Sequence, residues 1–90
     1  MQGVLSGMDI VQVRTLARQM RVDAREIEVL ADRMTALIEG LPWKGGDRDR
    51  FMNEWRSRHA SALRRAAGGL ADASRQAHDH ANRQEQASRA

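Results

Sequence analysis

The sequence predicts an all-α protein, an antiparallel helix-turn-helix hairpin that dimerises into an elongated four-helix bundle. Three observations predict it. A seven-residue apolar repeat runs unbroken from Ile10 to Leu41. A group of helix breakers, GLPWKGGD at residues 40–47, interrupts the chain near its middle with Gly40, Gly45, Gly46 and the only proline, Pro42. The apolar content, 41% of 90 residues, comes as Ala, Leu, Val, Ile and Met, with one Phe and no Tyr. That composition favours helix over strand.

The first element is one long helix, expected over about 9–40 after a flexible stretch at 1–8. With heptad position a at Ile10, positions a and d fall on Ile10, Val13, Ala17, Met20, Ala24, Ile27, Ala31, Met34, Ile38 and Leu41. Asp9 followed by Gln12 reads as a capping box at its start. At its end Gly40 can take the left-handed cap conformation and Pro42 forbids continuation. Leu16, Leu30 and Leu37 occupy position g and widen the apolar stripe beyond what one partner helix covers. With Met20, Ile27 and Met34 they form the expected dimer interface.

The turn spans residues 41–46. Trp43 is expected to fold back over the hairpin end with Leu41, Phe51 and Trp55, while Gly45 permits a tight backbone and a near approach. A second helix is expected over about 47–84, with Asp47 as its N-cap. Its apolar positions are read as Met52, Trp55, His59, Leu63, Ala66, Leu70, Ala73, Ala77 and Ala81. Gly68-Gly69 predicts a kink or a close helix approach, and the polar stretch 85–90 predicts a fraying tail. So short a connection forces the two helices antiparallel.

Composition narrows function. A chain of this length buries too little surface to be comfortably stable without a partner. The absence of cysteine removes disulfides, Cys-based metal sites and thiol nucleophiles. Ser57, His59 and Ser61 are neighbours in sequence, which is no triad, and two slim helices offer no pocket, so no catalytic residue and no cofactor is expected. His78 and His80 point to different helix faces and cannot share an ion, so no metal site is expected either. The start MQGVLSGMD lacks a charged leader and a long apolar run, and no stretch has the length of a membrane span, so neither a cleavable signal peptide nor membrane insertion is expected. The net charge of +3 is modest. Its excess lies in the second half, where Arg56, Arg58, Arg64 and Arg65 form a run without an intervening acid. This basic patch reads first as a solvated outer face, and otherwise as a surface for acidic protein, anionic lipid or nucleic acid. No aromatic interleaves with it and no groove-reading motif is present, so sequence-specific nucleic-acid binding is not expected.

Trp43-Lys44-Gly45 between two helices, preceded by Leu41 and followed by GDRDRFMNEW with Phe51 and Trp55, then Leu63 and Leu70 among alanines, resembles the WXG-hundred superfamily. These are the early secretory antigenic target-like proteins of type VII secretion, and the resemblance covers nearly the whole chain. It implies a helical hairpin that dimerises with itself or with a paralogous WXG protein. It also implies export by a type VII secretion ATPase, with Trp43 and Gly45 in the turn recognised for export. Such a protein is cytoplasmic before export and then secreted or on the cell surface, as a substrate, an adaptor or a partner of a larger effector. The family's signal also uses a Tyr-x-x-x-Asp/Glu motif after the second helix. Residues 80–87 here read HANRQEQA, without tyrosine. Either His80 or Arg83 replaces the aromatic, or a partner supplies the motif, or this chain is not itself the substrate. The alternative reading is a cytosolic helical scaffold, or a nucleic-acid- or membrane-associated dimer, that shares only the hairpin.

Overall fold

The computed structural model describes residues 7–43 and 45–89, which form a two-armed helical hairpin measuring 67 × 16 × 15 Å. The first arm is α1 (Gly7–Gly40). The second arm comprises α2 (Asp47–Glu54), a π-helical turn (Trp55–Ala60) and α3 (Ser61–Arg89), continuous in backbone. The arms run antiparallel: Arg14, near the start of α1, meets Glu85 near the end of α3, whereas Glu39, at the other end of α1, meets Arg56.

The buried seam has small residues along its middle and larger ones towards the ends, at heptad spacing broken once in the second arm. In α1 these are Ile10, Ala17, Ala24, Ala31 and Ile38, every one at position a. In the second arm they are Met52, Ala60, Ala67, Ser74 and Ala81. The hydroxyl of Ser74 donates to the carbonyl of Ala17. The common repeat then sets Ala24 opposite Ala67 and Ala31 opposite Ala60. Alanine at successive layers lets two helices approach to the short end of the usual 8–10 Å range.

The spacing from Met52 to Ala60 is one residue longer than a heptad, and the π turn absorbs the surplus. A π turn holds an extra residue within a helix. Without it, the seventh residue after Met52 would bring His59 to the seam. With it, His59 lies exposed and Ala60 is buried. This corrects the expected register of the second helix: His59 and Ala66 are exposed, Leu63, Leu70, Ala73 and Ala77 are half-buried, and Ala60, Ala67 and Ser74 form the seam instead.

Other local expectations shift with it. Gly68-Gly69 makes no close approach, since a Cβ on either would meet nothing within 4 Å, and α3 stays helical through both. Asp9 lies in the first turn of α1, which begins at Gly7, and so is not its N-cap; residues 1–6 of the expected flexible stretch lie outside the described residues. Gly46 takes the N-cap position of α2, and Asp47, the first helical residue, pairs with Arg50. The left-handed conformation expected at Gly40 belongs to Gly45, at φ +66°; no other described glycine has positive φ. α3 continues to Arg89 instead of ending near Gln84, because Glu85 is tied to Arg14 at 3.0 Å and to Arg89 at 3.4 Å.

Candidate functional site

The hairpin tip is closed by Trp43. The chain leaves α1 through a contact of the Leu41 N–H with the Ile38 carbonyl, then turns around Pro42 so that the Trp43 N–H donates to the Leu41 carbonyl at 2.9 Å. This lays the indole back over the helix end, where its Nε1–H donates to the Ile38 carbonyl at 3.2 Å. That carbonyl, one of the last in the helix, thus accepts from both the Leu41 N–H and the indole. The indole stacks on Phe51 of α2, ring centroids 5.4 Å apart. Gly45 reverses the chain into α2 through its positive φ, a conformation that penalises any side chain. A Cβ there would meet nothing within 4 Å. Its requirement is therefore backbone conformation and not the near approach expected of it.

The expected end cluster divides into two parts. Trp43 and Phe51 stack, but Leu41 and Phe51 remain half exposed, at 50% and 47%. Trp55 belongs to the flank: its Nε1–H donates to Thr35 Oγ1 at 2.8 Å, and that hydroxyl donates in turn to the Ala31 carbonyl. His59 lies against Trp55 with centroids 6.0 Å apart. Phe51, Glu54, Trp55 and His59 line an open recess of about 110 Å³, far below the several hundred Å³ of a small-molecule pocket.

The two edges of the hairpin differ in chemistry. Because the arms are antiparallel, heptad positions d and g of both fall on the same side. On that side α1 places half-buried Val13, Met20, Ile27 and Met34 beside exposed Leu16, Leu30 and Leu37. The last two are 43% and 57% exposed. The second arm adds Leu63, Ala66, Leu70, Ala73 and Ala77. The structure thus brings all six residues of the expected dimer interface onto one largely apolar, partly exposed face, interrupted at position g by Asp23, which accepts from Gln19.

Positions e and b line the opposite edge, which carries the cross-arm polar contacts. Arg14 reaches Glu85 and Asn82, Arg64 reaches Asp32 at 2.8 Å, and Arg56 pairs with Glu39. These contacts disperse the basic patch expected on the second helix. Arg56 and Arg64 are held by acids of α1, Arg58 by Glu54 at 2.9 Å, and Arg65 hydrogen-bonds to Ser61. Their run without an acid in sequence conceals carboxylates supplied by the other arm. At the open end, the hydrogen bond and charge of Arg14 lower the Glu85 carboxyl below its ordinary value, against an opposing desolvation and with a lesser contribution from Arg89.

Among the described residues no helix is long and apolar enough to cross a membrane. Comparison of the chain with known protein families, with curated proteins and with solved structures finds no match.

Proposed function

We propose that this chain is a small helical-hairpin protein that is exported by a type VII secretion system, or serves in one as an adaptor or partner, and that works as a dimer through its largely apolar face. The placement of the Trp-x-Gly triplet carries the reading. Trp43 seals the tip and Gly45 supplies the reversal, so the resemblance rests on a structural role at the position the family gives it, and a chance triplet inside a helix would have no such role. The d and g face supports the dimer. Leu16, Leu30 and Leu37 are about half exposed among the described residues, and a second hairpin, identical or paralogous, laid on that face would complete a four-helix bundle. A larger exposed apolar patch of this kind marks an interaction surface.

Export is tested by blotting culture filtrate from cells with and without the secretion ATPase. Appearance in the filtrate only when the ATPase is present supports the reading. Retention in the cells in both cases, with every paralogous partner co-expressed, leaves the intracellular scaffold as the better description.

A further inference from the structure

We propose that the polar edge of the hairpin between the Arg14–Glu85 and Arg64–Asp32 bridges is a docking surface for an acidic amphipathic helix of another protein. α1 presents Arg18, Arg21 and Arg25 along this stretch, continuing the line that begins at Arg14 and reaches Asp32. Their three- and four-residue steps place the guanidinium stems in one row about 10 Å long. Arg21 and Arg25 make no side-chain hydrogen bond or ion pair among the described residues, and Arg18 touches only the Thr15 hydroxyl, at 3.2 Å. Elsewhere on the same edge, Arg14, Arg56 and Arg64 all have carboxylate partners.

The difference lies in what α3 places opposite. Its edge positions between Arg64 and Glu85 are Gly68, Ala71, Arg75, His78 and Asn82, with no carboxylate among them. Asp72, next to this edge, is held by Arg75. Space above Gly68 is open, since a Cβ there would meet nothing within 4 Å. The stretch is therefore a row of three cations that faces Arg75 and His78, with the small Gly68 and Ala71 beside Arg25, and no carboxylate across from it.

A helix fits this row better than an extended polyanion does. Carboxylates at i, i+3 and i+7 of one helix face repeat with the same period as the arginines. The row is also short and bounded: Glu28 follows Arg25 on the α1 side, and Glu85 closes the other end. These acids repel a phosphate backbone running along the edge but allow a short acidic helix whose next residue is basic. Arg18 and Arg21 lie on the edge opposite the d and g face, whereas Arg25 also borders an outer recess that Leu30 lines; the docking reading itself uses neither the dimer nor export.

The test uses the full chain and a fluorescent four-turn alanine-based helical peptide with glutamates at i, i+3 and i+7, followed one turn later by lysine. Anisotropy at low salt is expected to show saturable binding. It should weaken at least about tenfold in Arg21→Glu/Arg25→Glu and in the milder Arg21→Gln/Arg25→Gln, and again on raising the salt. Circular dichroism and sedimentation of the variants should match the parent chain, because both residues are exposed and neither makes a hydrogen bond or ion pair among the described residues. Three results would each overturn the proposal: no binding, equal binding of a peptide with its glutamates scattered around the helix, or tighter binding of heparin or duplex DNA than of the peptide.

Discussion

The Ser74 hydroxyl donates to the Ala17 carbonyl at 2.6 Å across the seam, and both residues are almost wholly buried. The pair links the arms by a polar bond at a layer too narrow for a larger side chain. Ser74→Ala keeps the size and removes the bond, so it should lower stability by about 1 kcal/mol. Ser74→Leu would have to push the arms apart and should cost about 1–3 kcal/mol through overpacking. Urea unfolding of the two variants checks the order; a leucine variant as stable as the parent would mean that the arms are not held at alanine distance.

The π turn makes a second expectation. Deleting Ser57 restores seven-residue spacing between Met52 and the alanine now at 60, and so permits a continuous α-helix. Helical content should hold, and the melting temperature should stay level or rise, since a π turn replaces good i to i+4 bonds with poorer ones. Thermal melting followed at 222 nm is the measurement. A clear fall would show that the extra residue is required by the contact of Trp55 with Thr35.

Much of α1 was legible because its heptad is unbroken: Ala17, Ala24 and Ala31 stand at position a between larger neighbours at d, and each is buried. The second arm was harder for a local reason. Ala66 and Ala67 are both alanines, so a shift of one residue leaves no trace in the hydrophobic pattern, and the π turn that causes the shift has no sequence signature of its own. The charges were harder for a non-local reason. Arg64 looks unpaired in sequence and meets Asp32 of the other arm, whereas Arg21 and Arg25 sit among acids in sequence and pair with none. Pairing depends on what the opposite arm presents, and no window along one helix contains that information. The tip lay between these cases: Trp43 and Gly45 mark a turn by residue type, but the division of Trp43 from Trp55 needed the backbone path.

Dimerisation through the apolar face makes a sharp demand on Leu30 and Leu37. Both are about half exposed in the single chain, so a charge there should leave the hairpin itself intact. In a dimer the same charge would be buried without a partner, at several kcal/mol. Leu30→Glu and Leu37→Glu should therefore keep their helicity and sediment as monomers. An unchanged dimer would place the interface on another side of the rod.

Trp43→Ala separates tip packing from recognition. It removes the stack on Phe51 and the bond to the Ile38 carbonyl, together worth about 2 kcal/mol, while the seam below is untouched. Helicity at room temperature should survive and appearance in the culture filtrate should fall sharply. Loss of most helicity would show that Trp43 is needed for the fold, and the export effect would then carry no separate meaning.

The open end of the hairpin should respond to acid. Arg14 holds the Glu85 carboxyl below its ordinary value, so the charged form is favoured in the folded chain. A depressed carboxylate pKa contributes stability that is present above the unfolded-state value, about 4.3 for glutamate, and is lost as pH falls through the folded value. From neutral pH down to about 5, the Arg14–Glu85 clamp should therefore stay in place. Below the ordinary carboxylate range, protonation of Glu85 releases Arg14, and the turns beyond Asn82 should fray before the alanine seam opens. Amide exchange of residues 83–89 at a series of acid pH values reads this directly. Arg14→Ala removes the hydrogen bond and the larger charge, so the same amides should already exchange faster at neutral pH. Exchange at this end that is equally slow in both proteins at neutral pH would mean that packing of Ala81 against Ile10, and not the Arg14 clamp, holds the end of the rod.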